Sequence, residues 1–230
     1  MGRDKALLRL HGETIVERLA RVAVGISPRA FVVVDGAQKT RGLNLRGAQV
    51  LQDAVPRGGP LGGIHTALQR ADGEWNLFLT CDMPLVTGAL LKLLLLAADA
   101  KHDAAHFTFA DEPKTQPFPL LLHRNAARTV AWRIVTNRLS VVGVLDSLRV
   151  RQVRIANETD AACFLNVNTP SDWRRCQMLS RACDASPPKR AFTVSENSDT
   201  PATPARQTAA KTRARQSSRR MSPRPKRIRP

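Results

Sequence analysis

Carboxylates stand directly after three short apolar segments of this sequence. Asp35, Asp53 and Asp82 each occupy the position where such a segment ends. An apolar run that stops at a carboxylate is typical of a buried strand with one charged group at its exposed end. A carboxylate placed there is a natural ligand for a hard cation such as Mg²⁺, and hence for nucleotide phosphates. For Asp82, which precedes Met83-Pro84, the alternative is an ordinary turn in which proline ends the strand.

Three further groups could act with these carboxylates. The glycine-rich loop at residues 58–63 leads into a predicted helix and can present backbone N–H groups to an anion or a base edge. The alternative for that loop is a tight turn with close helix packing. Lys5 is either a compact cation for phosphate oxygens or an exposed charge. Asn166 and Asn168 again follow a short apolar segment.

The elements that must position these groups alternate along the chain. Strands are predicted at residues 30–34, 49–51, 76–80, 104–109, 118–122, 150–155 and 164–168. Helices are predicted to begin at Glu13, in the glycine loop, after the capping residue Thr87, at Asn125, at Ser140 and after the capping residue Thr169. This alternation predicts an α/β fold with a three-layer, mostly parallel sheet. Groups that follow parallel strands then converge on one sheet edge, where ligands bind.

Positive charge is concentrated at the C-terminal end. The net charge is +17, and residues 181–230 hold 13 Lys and Arg against 3 Asp and Glu. Because this segment has few large apolar residues, we predict a globular domain over residues 1–178 and a disordered basic tail over 179–230. The tail could be a solvated extension, a nucleic-acid-binding arm or out-of-frame coding sequence. No aromatic residues are interleaved with its basic clusters for base stacking, so we do not predict a nucleic-acid partner.

Composition also bears on location and redox state. The longest apolar run, residues 90–98, is too short to span a membrane, and the first residues do not resemble a signal peptide. The four cysteines show no CxxC spacing, which predicts reduced thiols in a cytoplasmic protein with no membrane partner. The five histidines are scattered and are interpreted as structural or surface residues, so no Ser/His/Asp or Cys/His arrangement is expected.

Five motifs in order resemble one known family. The segment Met-Gly-Arg-Asp-Lys at residues 1–5 resembles the second half of the nucleotidyltransferase signature L-x-G-G-x-S-x-R-M-G-x-D-K. Residues 59–64 are similar to its G-P-L-x-G segment, residues 81–84 to its C-D-x-P metal motif, and residues 166–170 to N-x-N-T-P. Gln116-Pro117 resembles its short polar-Pro motif. Over about residues 1–178, the chain resembles the molybdenum cofactor guanylyltransferase family.

The resemblance implies a Rossmann-like nucleotidyltransferase sheet and transfer of GMP from GTP to molybdopterin, with release of pyrophosphate. It implies Mg²⁺ as the cofactor, GTP and molybdopterin as substrates, and proteins that deliver the cofactor to molybdoenzymes as partners. It assigns catalytic roles to Lys5, which would contact phosphate, and Asp82, which would bind Mg²⁺. The remaining implied contacts are Asp35, Asp53, Leu61, Gly62 and Gly63 for the nucleotide, and Gln116, Asn166 and Asn168 for the second substrate or the metal.

The sequence departs from the family pattern in ways that leave alternatives open. The first strand and the phosphate loop of the signature precede the residues that match, so we expect the sheet to lack both. Either the true start lies upstream, which we favour because the later motifs are intact, or the chain is an inactive copy that acts only as a binding protein. Asp35 stands where Asn or Ser is more usual, which leaves the identity of the nucleotide open. The alternatives to a guanylyltransferase are a molybdenum cofactor cytidylyltransferase, which uses CTP, and another sugar or cofactor nucleotidyltransferase.

Overall fold

The structure is a computed structural model that describes residues 4–36, 40–109, 116–155, 158–185 and 192–195 of the 230-residue chain. Its strands are β1 (Arg9–Leu10), β2 (Glu13–Thr14), β3 (Phe31–Val34), β4 (Gln49–Gln52), β5 (Trp75–Phe78), β6 (Ala104–Phe109), β7 (Leu120–His123), β8 (Val150–Ile155) and β9 (Phe192–Ser195). Its α-helices are α1 (Ile15–Val24), α2 (Gly59–Leu68), α3 (Gly88–Leu95), α4 (Ala127–Val135), α5 (Val141–Leu145), α6 (Glu158–Ala162) and α7 (Pro170–Ala185). A 3₁₀ helix, Lys5–Leu7, precedes β1.

The strands form a hairpin, a two-stranded sheet and a five-stranded sheet. The hairpin joins β1 to β2 through His11 and Gly12, both in the left-handed region, as tight hairpin turns require. Strands β3 and β4 pair in parallel, and the larger sheet has the order β5-β7-β6-β8-β9. Strands β5, β6 and β8 run in one direction, so the predicted α/β fold with a mostly parallel sheet is confirmed. Strands β7 and β9 run against their neighbours, which we did not predict.

The two sheets differ in burial. Leu120, Leu121 and Leu122 of β7 are fully buried, and the leucines of α3 pack into the same core. All four residues of β3 are only half-buried although all are apolar. In the part of the chain that the structure describes, β3 is paired only with β4 and β5 only with β7, so no strand joins the two sheets.

Side chains cap the starts of three helices, among them the predicted cap Thr87. Thr14 and Glu17 form a reciprocal capping box at the start of α1, and Thr87 accepts a hydrogen bond from the Leu90 amide at the start of α3. Ser140 caps α5 in the same way. The hydrogen bonds from the Asn44 and Thr14 amides hold the pKa of Glu17 at about 2, which ties the loop at Asn44 to the first turn of α1.

Two predictions are corrected. Residues 164–168 do not form a strand, because the Val167 amide donates to the carbonyl of Asp82 in the loop after β5 instead of joining a ladder. The prediction of four reduced thiols is wrong for Cys163 and Cys183, which form a disulfide between the end of α6 and the last turn of α7. Cys81 and Cys176 are free thiols.

The predicted domain boundary at residue 178 falls inside α7, which continues to Ala185 because Ser180 and Cys183 are buried against the core. Residues 192–195 pair with β8. The rest of the predicted basic tail, residues 186–191 and 196–230, lies outside the described residues. Among the described residues, no helix is long and apolar enough to cross a membrane. A cytoplasmic location stays a prediction.

Candidate functional site

Three side chains from distant parts of the sequence meet at the loop after β5. The Lys5 ammonium donates to Asp82 Oδ1 at 3.1 Å and to Asn168 Oδ1 at 2.6 Å. The side chains of Lys5 and Asp82 keep 29% and 47% of their exposure, so this cluster faces solvent. The three segments were each predicted to carry a functional residue, and the fold brings them together.

Two backbone contacts hold the loop that carries Asp82. The Val167 amide donates to the Asp82 carbonyl at 2.8 Å, and the buried Arg18 donates from Nε to the Pro84 carbonyl at 2.7 Å. Arg18 is only 4% exposed, so its bond to the carbonyl is shielded from water. Both contacts are made through the main chain, which leaves the Asp82 carboxylate directed toward Lys5.

The start of α7 positions Asn168. Asp172 accepts hydrogen bonds from the amides of Asn168 and Thr169, at 3.0 and 2.7 Å, and its own amide donates to the Thr169 hydroxyl. The hydrogen bonds with Thr169 and with the Asn168 amide hold the pKa of Asp172 below its usual value. The capping box therefore keeps the backbone of Asn168 in place at neutral pH.

Cys81 lies beside this cluster but is a poor nucleophile. Burial, and the negative charges of Asp82 and Asp4, raise the pKa of its thiol to about 11. At neutral pH the residue is a thiol, which lacks the reactivity of a thiolate. The chemistry of this cluster is therefore that of a cation, a carboxylate and an amide.

Asp53, after β4, is held by its own loop. Its Oδ1 accepts from the Val55 amide at 2.9 Å and lies 3.0 Å from the Thr66 hydroxyl of α2. The same hydroxyl accepts from the Ala54 amide. A Cβ at Gly62 would lie 3.2 Å from the Asp53 carboxylate, so only glycine lets α2 approach this loop without displacement.

The predicted nucleotide loop divides into buried and accessible parts. Leu61 is fully buried in the core, so its side chain cannot contact a nucleotide, and only its backbone remains for that role. Gly62 is also buried, whereas Gly59 and Gly63 line a groove shared with Asp35, Asp53 and Cys81. Gly59 has a φ of 57°, a conformation that glycine adopts without strain, at the point where the chain turns into α2.

Asp35 lies near the 3₁₀ helix that carries Lys5. It is exposed at the end of β3 and, with Asp4, Ala6 and Thr40, lines a cavity of about 260 Å³. Its backbone carbonyl accepts a hydrogen bond from the Gln52 amide side chain. Asp35 and Asp53 line one groove together with Cys81, the residue before Asp82, so the segments that follow β3, β4 and β5 all reach this groove.

Gln116 and Asn166 form a second polar pair. Asn166 Nδ2 donates to Gln116 Oε1 at 3.3 Å. Buried His106 of β6 contacts the backbone of Phe107 and Gln116, and burial lowers its pKa, so it is neutral at pH 7. Asn166 and Asn168 flank Val167, whose backbone amide donates to the Asp82 carbonyl. Both asparagines therefore lie next to the loop that carries Asp82.

The donor set at Asp82 fits a magnesium ion that is completed by other ligands. Among the described residues no three His, Cys, Asp or Glu side chains cluster as a metal site. Mg²⁺ in nucleotide enzymes, however, commonly takes one or two protein oxygens, with water and substrate phosphates supplying the rest. The exposed Asp82 carboxylate and the nearby Asn168 oxygen, both beside Lys5, match that requirement.

Sequence reasoning missed three supporting residues. Arg18 lies between Ile15 and Leu19 on the apolar face of α1, and a cation in such a stripe is a signal that could have been read. Thr66 and His106 carry no comparable signal, because the contact of Thr66 with Asp53 and that of His106 with the Gln116 backbone join separate segments.

Comparisons with known proteins agree with this geometry. A model of the MobA-like NTP transferase domain family matches residues 1–142. The probable molybdenum cofactor guanylyltransferase of Synechococcus elongatus is 29% identical over 185 residues, which cover 77% of this chain and 92% of the relative. The molybdenum cofactor guanylyltransferase of Vibrio cholerae is 27% identical over 174 residues, covering 74% and 81%.

Solved structures share the fold. Molybdopterin-guanine dinucleotide biosynthesis protein A from Archaeoglobus fulgidus superposes with a TM-score of 0.63 at 23% identity, covering 78% of this chain and 92% of that chain. The 2-C-methyl-D-erythritol 4-phosphate cytidylyltransferase of Thermus thermophilus has a TM-score of 0.57 at 20% identity, covering 77% and 94%.

Proposed function

This chain belongs to the MobA-like NTP transferase family, and on that premise we propose that it transfers GMP from GTP to molybdopterin. The relatives named molybdenum cofactor guanylyltransferase support a nucleotidyltransferase role in molybdenum cofactor biosynthesis. In the proposed reaction, a terminal phosphate oxygen of molybdopterin attacks the α-phosphorus of GTP. The bond from that phosphorus to the bridging oxygen of the β-phosphate breaks, and pyrophosphate leaves. Proteins that deliver the cofactor to molybdoenzymes are the partners we expect.

The observation that carries the proposal is the contact of Lys5 with Asp82 and Asn168, which lie 77 and 163 residues away in sequence. Phosphoryl-group transfer needs little covalent chemistry from the protein; it needs groups that position the phosphates and balance their charge. The Lys5 ammonium is a mobile point charge that can move from Asp82 to phosphate oxygens. Asn168 keeps a fixed backbone position through Asp172 while its side chain offers an amide to the substrate.

Asp82, with the Asn168 side-chain oxygen, would hold Mg²⁺. When bound, the ion supplies charge neutralisation for the phosphate oxygens. The accessible backbone at Gly59 and Gly63, together with Asp53, would orient the base and ribose. Gln116 and Asn166, which form a polar pair, would contact molybdopterin, as their motifs in the family imply.

The test is a transfer assay with purified full chain, molybdopterin, Mg²⁺ and either GTP or CTP, in which released pyrophosphate and the dinucleotide product are measured. We expect GTP-dependent product and a rate loss of roughly 10²–10³-fold for Asp82→Asn. The matched control is Asp146→Asn, an exposed aspartate at the end of α5, which should retain the wild-type rate.

Outcomes other than GTP turnover are informative. Turnover with CTP but not GTP would show a cytidylyltransferase and overturn the nucleotide assignment. Absence of product with both nucleotides, from a chain that melts cooperatively, would contradict transferase activity of these 230 residues. Equal rates for Asp82→Asn and Asp146→Asn would contradict the assigned role of Asp82 alone.

A further inference from the structure

One face of helix α4 exposes large apolar side chains beside arginines. Arg128, Trp132 and Val135 recur at intervals of four and three residues, so they lie on one side of the helix, which we call the outer face of α4. Trp132 and Val135 keep 51% and 84% of their exposure. Val130 of the same helix is fully buried, and α4 packs against α2. The helix is therefore held on the domain by other residues than those of its outer face.

The end of α4 places a cation over the exposed tryptophan. Asn137 has a φ of 54°, and its amide donates to the Ile134 carbonyl at 3.0 Å. The Arg138 amide donates to the Arg133 carbonyl at 2.8 Å, which completes the pair of hydrogen bonds of a Schellman motif. This turn folds the chain back, and the guanidinium carbon of Arg138 lies 5.1 Å from the centre of the Trp132 ring. Local structure therefore holds the ring and the cation together.

The charge around Trp132 has one sign. Residues 124–138 contain four arginines and no Lys, Asp or Glu. Arg124, Arg128 and Arg138 are exposed, and among the described residues no ion pair joins any of these three to a carboxylate. Arg149, just before β8, is by contrast paired with Asp103. Carboxylates of another molecule would therefore find unpaired cations on this face.

Both properties of the outer face of α4 match one kind of partner. Tryptophan and arginine are the residues that most often dominate the energy of protein–protein interfaces. Covering Trp132 and Val135 with apolar side chains contributes about 25 cal/mol for each Å² removed from water. A helix with apolar residues at three- and four-residue intervals and carboxylates on both sides offers the two kinds of group along one line, as the packing of two helices requires.

Other occupants fit this face less well. A symmetric contact with a second copy would bring the same arginines together, and like charges repel. The predicted basic tail carries the same sign of charge, with 13 Lys and Arg against 3 Asp and Glu over residues 181–230. A nucleic acid could contact the arginines and stack on Trp132, but its phosphates offer no apolar group for Val135. The surface therefore favours an acidic protein helix.

We propose that the outer face of α4 is a docking surface for an acidic amphipathic helix of a partner protein. Trp132 is the anchor that the apolar stripe of the partner covers, together with Val135. Arg128, one turn before Trp132, and Arg138, over its ring, bind carboxylates beside that stripe.

The test uses the full chain and a fluorescein-labelled peptide of about 15 residues, in which leucines at helical intervals are flanked by glutamates and the other positions are alanine. The control peptide has lysine in place of every glutamate. Fluorescence anisotropy measures the Kd of each, without nucleotide. We expect the glutamate peptide to bind at least about tenfold more tightly than the lysine peptide, and its Kd to rise as salt is increased from about 50 mM to about 500 mM.

A matched pair of variants locates the anchor. Trp132→Ala should weaken binding of the glutamate peptide by about tenfold or more. Met178→Ala, an exposed apolar residue that lies between Arg174 and Arg181 on α7, should change it less than about twofold. If Trp132→Ala does not fold, the charge-reversed variants still decide.

Charge reversal tests the role of the arginines. A chain with both Arg128→Glu and Arg138→Glu should lower the preference for the glutamate peptide over the lysine peptide by about tenfold or more. The control chain carries Arg174→Glu and Arg181→Glu, the same change of net charge at exposed positions of α7, and should keep the preference.

Four results would overturn the proposal. The first is no binding of the glutamate peptide at about 0.1 mM. The second is an equal loss from the α4 and α7 variants, which would show attraction to the net charge alone. The third is equal binding of the two peptides. The fourth is a single-stranded oligonucleotide of about 15 nucleotides that binds more tightly than the peptide and is lost in Trp132→Ala, which would show a nucleic-acid surface. Peptide binding is measured without turnover, so a failed transfer assay leaves this inference standing.

Discussion

The loops after β4 and β5 each carry an aspartate, but the two aspartates are used differently. Asp53 is bound by Val55 and Thr66, from its own loop and the next helix. Asp82 is bound by Lys5, 77 residues away. One oxygen of Asp53, Oδ1, therefore stabilises the loop and helix around it, whereas Asp82 is held in place by its backbone and leaves its carboxylate in an exposed cluster.

Substitutions around Asp53 and around Asp82 should therefore have different effects, the first on stability and the second on function. Asp53 and Thr66 form a local polar network beside the close approach of Gly62, so changes there should lower stability. Exposed ion pairs such as Lys5–Asp82 contribute about 0–1 kcal/mol to stability, so changes there should spare folding and alter function.

The largest expected effect is on the exposed cluster. Lys5→Met keeps the side-chain length and removes the charge, and we expect kcat/KM for nucleotidyl transfer to fall roughly 10²-fold, with the melting temperature nearly unchanged. Steady-state kinetics and a thermal melt measure the two quantities. Lys92→Met, at an exposed position of α3, is the control. A much lower melting temperature with little change in kcat/KM would contradict the contrast between the Asp82 cluster and the Asp53 loop.

Arg18→Met tests the support beneath Asp82. The variant retains packing volume but leaves the buried Pro84 carbonyl without the Nε donor, which costs about 2 kcal/mol in the free energy of unfolding. We also expect about a tenfold lower kcat/KM, because the Asp82 loop loses one of its two anchors. Arg21→Met, on the exposed side of the same helix, should cost less than 1 kcal/mol. Denaturant unfolding that gives equal losses for the two would contradict this role.

Thr66→Val tests the other side of the comparison. Valine has nearly the same shape but removes the hydroxyl that contacts Asp53 and Ala54, so we expect unfolding free energy to fall by about 1–2 kcal/mol. Because the contacts are structural, kcat should change less than for Lys5→Met. Thr136→Val, whose hydroxyl is exposed at the end of α4, is the matched control. A kcat loss equal to that of Lys5→Met would show that both loops act in the reaction.

The smallest effect concerns His106, which contacts the backbone of Gln116. Burial lowers the pKa of His106 below its usual value of 6.5 in the folded chain, so the unfolded chain binds the proton first as pH falls. The contribution of neutral His106 to the free energy of unfolding is therefore fully present above pH 6.5 and is lost as the pH falls from there through the pKa of the folded state. His106→Asn should flatten the stability profile between pH 7 and 5, measured by denaturant unfolding. An unchanged slope would exclude His106 as its source.

Much of the fold could be predicted from local pattern. Strand β3 is an unbroken apolar run, β8 begins and ends at the predicted residues, and the predicted cap Thr87 marks the start of α3. The antiparallel direction of β7 could not be predicted, because Leu120–His123 is apolar in the same way as a parallel strand. The prediction of a strand at residues 164–168 was wrong, because an apolar segment can also be buried by packing against a loop, here the loop that carries Asp82.

The candidate site divides in the same way. The sequence by itself determined which residues carry charge and amide chemistry, since Lys5, Asp82 and Asn168 lie in motifs whose order resembles a nucleotidyltransferase. Only the tertiary structure decided that these three touch, that Asp53 is bound by its own loop, and that Leu61 is buried. It alone also showed that Asp35, Asp53 and Cys81 line one groove. The reason is physical: residue type and spacing determine local conformation and burial, whereas contacts across 77 or 163 residues depend on how separate elements pack.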